Sequence, residues 1–506
     1  MIAILLKLAV VLSTLQSVTS DLSIPDPHDG HRASIIEARS KLIHNVERTY
    51  SVGDQTFQLN PGPEVSTSSM LYFEHLVLQA TALTATTNFN ASKIETFLQD
   101  RLPFTSVDDF HQAYEDLAAT EMIEKTFGVF VTDFSDHGDL TYKAAKEFKY
   151  IPNVIGCFCN NVDKRQLLPL AITLVDSELT YTKADSPGEW QLAKMALHAT
   201  EVNFQQMRHF VETHLISVPV QVEMMRSLST EHPVYALMDY HLFADFGMEY
   251  FARRELLSPG TPYDQVTGYG ATGSLRAVMR EFKTTSVDLD LPTDLAARES
   301  LVDYRLNRYG TKYYNIIKRF VRKYMKAYYT TKEAIRDDTE LQTWAERSSQ
   351  LEHIHGFPSA FTGYDDLVRV LTHFIFENAI KHHFMSGHAS WHSIAPPFHG
   401  SALYNKPLPT KKGEEVDPLD YAVPSETVPK MAYIYSWFTR QVPVNASALH
   451  FYQSEPFTSE TELVEPIREF HQSMNDMMHF VDFAESQEAH PIDIFKPSSL
   501  PFYSFT

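Results

Sequence analysis

The stretch Met207-Arg208-His209-Phe210-Val211-Glu212-Thr213-His214 decides how the chain is read, and Lys381-His382-His383-Phe384-Met385-Ser386 answers it from far downstream. Both read as the middle of long apolar helices, an unusual place for imidazoles unless something binds them. Two such helices crossing in a core, each turning histidine toward the other, would make a nest for one transition metal. His382 and Ser386 are four apart and share a helix face. His209 and His214 are five apart, which an ideal α-helix splays by roughly 140°. They converge on one point only if the helix is locally widened, so the spacing predicts a π-bulge between them. Neutral imidazoles with oxygen donors leave iron, manganese and zinc open.

The plainer reading is that 23 histidines produce some pairings by chance, and that a lone helical histidine is more often a hydrogen-bonded core or surface residue. Other chemistries drop out more firmly. The chain has no HExxH, which disfavours a zincin protease, and neither GxSxG nor a phosphate-cradling glycine loop. His388 and His392 are spaced for zinc, but they sit at a helix end beside Pro396, where exposure is expected.

At 506 residues the chain is long enough for a large buried core. Its formal charge of -21, from 43 basic and 64 acidic residues, argues against nucleic acid, whose phosphates need clustered Lys and Arg. Residues 1–20 resemble a cleaved secretory leader: one Lys, an apolar run from Leu8 to Leu12, and small residues at Val18 and Ser20. No later apolar run is long enough for a membrane span. Asn90 and Asn445 head glycosylation sequons, compatible with export. The two cysteines, Cys157 and Cys159, are too close in sequence for an unstrained disulfide. A secreted, acidic protein held together by core packing is expected.

Residues 21–68, rich in Pro, Ser and Asp, read as an extended N-terminal arm, with the body of the protein running from 69 to 506. Leu167 to Leu174 is short, apolar and β-rich, predicting one or two strands of a minor sheet beside a mostly α body. Ser186-Pro187-Gly188-Glu189 is a capping box with proline in the first turn. The helix it opens runs through both histidines until Pro219 bends or breaks it. Ile317, Phe320, Val321, Tyr324, Met325 and Tyr328 form an apolar helical stripe with Lys and Arg opposite. That basic side reads as a solvated face rather than a peripheral membrane contact. The tail, ending Phe502-Tyr503-Ser504-Phe505-Thr506, is aromatic and reads as buried.

The order of landmarks adds a resemblance. Trp190-Gln191-Leu192-Ala193-Lys194, then Gln205, His209 and His214, then Arg226-Ser227-Leu228, Glu231-His232-Pro233, His241 and Ala252-Arg253 resemble the signature block of lipoxygenases. Gly356-Phe357-Pro358, the His382 helix and the aromatic tail fit the rest of that pattern, over residues 140–506. The resemblance implies a helical lipoxygenase-like catalytic domain without the amino-terminal β-barrel. It implies one non-haem iron held by His209, His214 and His382, with Ser386 and the carboxylate of Thr506 completing the set. Manganese is the alternative; the secreted fungal manganese members space the first histidine pair one residue closer, which favours iron here.

The implied activity is insertion of O2 into a polyunsaturated fatty acid of the linoleate type, giving a hydroperoxide. A metal-bound hydroxide takes the hydrogen atom between two cis double bonds, and O2 adds to the opposite face. Gln205 matches a residue linking the metal region to the substrate cavity. Ala252 matches the position where Ala accompanies S products, and Leu256 a residue that clamps the pentadiene. Two departures stand out. Thr200-Glu201 replaces the usual Asp-aromatic pair, and Phe251 removes a basic residue, leaving Arg208, Arg253 and Arg254 as candidates for the fatty-acid carboxylate. The competing functions are rearrangement of fatty-acid hydroperoxides and lipid binding without turnover.

Overall fold

The computed structural model describes residues 22–25, 30–42, 48–52, 55–59, 81–84, 108–109, 112–113, 128–141, 149–161, 166–243, 245, 252, 254–287, 305–352, 354–386, 400–435, 442–488, 491 and 493–504. Residues 1–20, Asn90 and Thr506 fall outside these, as do His388, His392 and Arg253. Among the described residues the protein is mostly helical, with three small sheets. Strands β1 (Arg48–Val52) and β2 (Gln55–Leu59) form a hairpin. Strands β3 (Thr81–Thr84), β4 (Gly128–Phe134), β6 (Val154–Asn161), β7 (Gln166–Leu174) and β8 (Leu179–Thr182) form one antiparallel sheet in the order β3-β4-β6-β7-β8. Between them, β5 (Lys149–Tyr150) pairs with β9 (Leu403–Tyr404). The apolar run around Leu167 is therefore a strand, as expected, but in a wider sheet than one or two strands.

The stretch expected to be an extended arm is not extended throughout. Its middle folds as helix α1 (Gly30–Leu42), which packs on the helix that follows the first histidine pair. Arg32, only 2% exposed, anchors it.

The central helix α2 (Pro187–His209) begins where the capping box places it. Ser186 Oγ accepts from Glu189 N–H, and the Glu189 carboxylate accepts from Ser186 N–H, both at 3.3 Å. Gly188 is needed for a different reason. A Cβ there would lie 2.0 Å from the carbonyl oxygen of Val416, so only glycine lets that loop close over the helix start. The same loop returns a hydrogen bond from Gly413 N–H to Glu189 Oε1 at 2.7 Å.

Pro219 does not end the helix; α3 runs from Ile216 to Ser227 with the proline inside. It falls in the first turn after a widened segment, where the missing N–H is best tolerated. Helix α4 (Pro233–His241) starts at Pro233, with His232 Nδ1 accepting from Val234 N–H at 3.0 Å.

The predicted stripe lies on α5 (Arg305–Tyr328), with Ile317, Phe320, Val321, Tyr324 and Met325 buried. It packs between helix α6 (Tyr364–Phe376) and helix α7 (Val464–Ser486). On its basic side, Arg322 pairs with Asp365 at 2.5 Å and Lys323 with Glu469, which supports the solvated-face reading. No described helix is long and apolar enough to cross a membrane.

The described part of the tail is largely buried: Ile494, Phe495, Leu500 and Ser504 are each at most 3% exposed, while Phe502 and Tyr503 are half-buried. His241 holds it, with Nδ1 2.7 Å from the Phe502 carbonyl and Nε2 2.8 Å from the Tyr452 hydroxyl. Burial lowers His241 from the usual histidine range to about 3. The unfolded chain therefore binds a proton there below about pH 6.5 that the folded chain refuses down to about pH 3. Stability is present above that window and falls through it, by about 1.4 kcal/mol per pH unit. Urea midpoints measured from pH 7 to pH 4 should drop more steeply for the wild type than for His241→Gln.

Candidate metal centre

Helix α2 ends at His209, and the backbone then widens into a π-helical segment, Phe210–Leu215, before α3 resumes. Ile216 N–H bonds back five residues to Val211 O. Residues five apart then stack one turn above another, so His209 and His214 point to the same side. This is the defect that the histidine spacing predicts. The second histidine helix has one too. Helix α6 passes through a π segment, Glu377–Lys381, and continues as helix α8 (His382–Ser386). That second widening left no signal, because only one ligand histidine follows it.

The rings of His209, His214 and His382 form a triangle with centroid separations of 5.4, 4.6 and 4.9 Å. One ring nitrogen from each lies within 4.8 Å of the others, and all three residues are fully buried. Their Nε2 atoms find no hydrogen-bond partner among the described residues. A buried orphan acceptor costs about 1–3 kcal/mol, so three facing one another need a common Lewis acid. Burial, followed by the neighbouring imidazoles, holds His209 and His382 well below the ordinary histidine range, which keeps them neutral as metal ligation requires. The residues present therefore fit one first-row transition metal.

Around the triangle lie residues that sequence reading missed. Asp245 Oδ1 is 3.6 Å from His214 Nδ1, and the Ser504 hydroxyl donates to the same oxygen. His383 stands between His382, with Nδ1 atoms 3.4 Å apart, and the Tyr503 carbonyl, 2.7 Å from its Nε2. Burial pushes His383 down to about 4. His209 Nδ1 lies 3.5 Å from the Thr213 hydroxyl.

The two π segments are also tied by charge. Lys381 Nζ donates to Glu212 at 3.0 Å and to Glu377 at 3.2 Å, while Arg208 binds Glu212 at 2.5 Å and Glu281 at 2.9 Å. Burial alone would raise the Glu212 carboxyl, but Arg208 and Lys381 outweigh it and hold it well below the carboxylate range. Lys381→Met keeps the stem but removes the cation shared by Glu212 and Glu377, leaving Glu212 with Arg208. It should cost about 3 kcal/mol in urea unfolding of the metal-free protein.

Arg208, one of the three candidates for a fatty-acid headgroup, is thus already paired with two carboxylates. Arg254 is exposed. Gln205 is buried one turn before His209. Ala252 and Leu256 are buried and one turn apart, joined by a 2.8 Å bond from Leu256 N–H to Ala252 O. The backbone of Ser386 closes α8; its side chain lies outside the described part. Asn445 is exposed in a short 3₁₀ turn.

Fold and site together define a helical protein with a buried triangle of histidines that fits one metal ion. The lipoxygenase family model matches residues 176–419, which contain all three histidines. A manganese lipoxygenase of Colletotrichum gloeosporioides is 26% identical over 378 residues, 72% of this chain and 61% of that protein. The rat epidermal-type polyunsaturated fatty acid (12S)/(13S)-lipoxygenase is 26% identical over 350 residues, 66% of this chain and 52% of its own length. The chain thus spans less than two thirds of these relatives.

Among solved structures, a calcium-dependent 11R-lipoxygenase superposes with a TM-score of 0.75 at 16% identity, over 96% of this chain and 83% of that one. The manganese lipoxygenase of Gaeumannomyces graminis gives 0.72 at 19% identity, over 96% of this chain and all of that one. Residues 176–419 thus match the lipoxygenase family model, and the chain has the fold of the solved lipoxygenases.

Proposed function

We propose that the protein is a secreted dioxygenase that inserts O2 into polyunsaturated fatty acids of the linoleate type. The observation that carries this reading is the buried triangle of His209, His214 and His382 with all three Nε2 atoms orphaned, inside the segment that matches the lipoxygenase family. When bound, the metal supplies the one-electron redox chemistry that makes a bis-allylic C–H bond reactive. The protein's own part is to hold three neutral imidazoles in place, to exclude water and to align an apolar chain.

Gln205, one turn before His209, and the Ala252–Leu256 turn are the residues assigned to that alignment. Iron is the metal favoured by the five-residue spacing of the first pair; manganese is the alternative raised by the fungal relatives' names. Ser386 and the carboxylate of Thr506 are proposed as the oxygen donors. Export is supported by the leader-like residues 1–20 and by the exposure of Asn445, as a glycan acceptor needs.

Oxygen uptake by purified protein given linoleic acid, with metal assayed in the same sample, tests the reading. Uptake with a conjugated-diene hydroperoxide product is expected. Metal-loaded protein that consumes no oxygen but turns over fatty-acid hydroperoxides would replace this reading with rearrangement. Tight fatty-acid binding with neither reaction would replace it with a lipid carrier.

A further inference from the structure

The C-terminal tail reaches the metal centre through two side-chain relays, and in the first of them the direction of every proton is fixed by chemistry. The Tyr503 carbonyl only accepts, so His383 Nε2, 2.7 Å away, must carry a hydrogen and donate it. A neutral imidazole that donates from Nε2 accepts at Nδ1. Its partner 3.4 Å away, His382 Nδ1, is then the donor. That leaves His382 Nε2 as a lone pair, and this is the orphaned atom facing the other two histidines.

The second relay reads the same way. Ser504 Oγ donates to Asp245 Oδ1, and this carboxylate oxygen lies 3.6 Å from His214 Nδ1. At that separation the oxygen faces Nδ1 without closing a hydrogen bond, and its charge favours the tautomer with the hydrogen on Nδ1 and Nε2 bare toward the centre. Asp245 and Ser504 are both fully buried.

We propose that Asp245 and His383 are positioning residues that convert the seating of Tyr503 and Ser504 into the tautomers of His214 and His382, and so into metal retention. The inference rests on the metal centre described above, not on the reaction proposed for it. Each relay orients a ligand ring through its second nitrogen, the arrangement by which an outer partner commonly governs metal affinity by about 10- to 100-fold. Because both end on consecutive tail residues, tail docking and metal binding form one linked equilibrium. The relays run through Ser504 and the Tyr503 backbone, so their loss is felt even with Thr506 in place.

Affinities for iron(II), handled without oxygen, and for manganese(II) would be measured by competition with a chelating dye on the full chain. The variants are His383→Phe, His383→Gln and Ser504→Ala. Melting of the metal-free forms is recorded alongside, as a purely structural role would move that alone. His383→Phe and Ser504→Ala should each weaken binding by about 10- to 100-fold. His383→Gln should stay close to the wild type, because its amide donates to the Tyr503 carbonyl and accepts from His382 Nδ1–H. Unchanged affinity in Ser504→Ala and His383→Phe overturns the proposal, and so does a His383→Gln variant as weak as His383→Phe. Should His383→Phe not fold, Ser504→Ala decides, since it removes one hydroxyl and leaves the backbone alone. A wild type that takes up neither ion overturns the metal centre itself, and the relays with it.

Discussion

His382→Ala is expected to abolish metal retention while leaving the helical content of the protein largely unchanged. His382 is the only ligand of the triangle that comes from the second histidine helix, and its ring sits 4.6 and 4.9 Å from the other two. Without it, the remaining pair, on one widened helical turn, offers only two nitrogens. Loss of an outer partner commonly costs up to about 100-fold in metal affinity, and loss of a donor must cost more. The fold has less at stake. The imidazole makes no hydrogen bond through Nε2, and the charge bridge from Lys381 to Glu212 and Glu377 still clamps the two π segments. His214→Ala should behave alike. Metal analysis after gel filtration, beside far-UV circular dichroism, checks both variants. A full metal complement in either one removes that residue from the ligand set.

The histidine stretches made the site legible because periodicity carries geometric information. Five residues between His209 and His214 cannot share an α-helical face, so either the metal reading or the regular helix had to give way. The structure resolves this in favour of the widened turn. The capping box at Ser186, the helix start at Pro233 and the apolar stripe of α5 were legible for the same reason: each depends on neighbours within about one or two turns.

What escaped was non-local. Asp245 and His383 act through atoms of Ser504 and Tyr503, 259 and 120 residues away in the sequence, and no local pattern marks them. The second π segment precedes a single histidine, so no spacing conflict announces it. Arg208 stood among three candidates for the fatty-acid carboxylate; Glu212 is its partner one turn on, and Glu281, its distant partner, comes near it only in the folded chain. Pro219 read as a bend or break because proline lacks the N–H that a helix interior uses, yet it falls in the first turn after the widened segment, where that loss is best tolerated.

Arg32→Ala is the second large effect, and it concerns the stretch that read as an extended arm. Helix α1 has no sharp apolar stripe, so its docking leaves little trace in the hydrophobic pattern. What holds it is a fork. Arg32 Nε donates to Glu340 Oε1 at 2.6 Å and Nη2 to Oε2 at 3.2 Å, while Nη1 reaches the Ser23 hydroxyl at 2.9 Å. Glu340 Oε2 also accepts from Ser229 N–H at 2.8 Å, just beyond the end of α3. The pair is nearly buried, with Arg32 at 2% exposure and Glu340 at 8%.

Breaking such a pair from one side costs about 3–5 kcal/mol, because the surviving charge keeps its desolvation and loses its partner. The low end is expected here. Glu340 lies in the first turn of the helix Thr339–Ser349, where the backbone dipole favours a carboxylate, and it keeps the Ser229 N–H. Urea unfolding of Arg32→Ala against the wild type measures the loss. Arg32→Lys should recover only part of it, since an ammonium restores the charge but not the fork. A loss below about 0.5 kcal/mol, the range of ordinary surface changes, would mean that α1 is not docked on α3 in solution. The helix would then be a separable arm, as the sequence suggested.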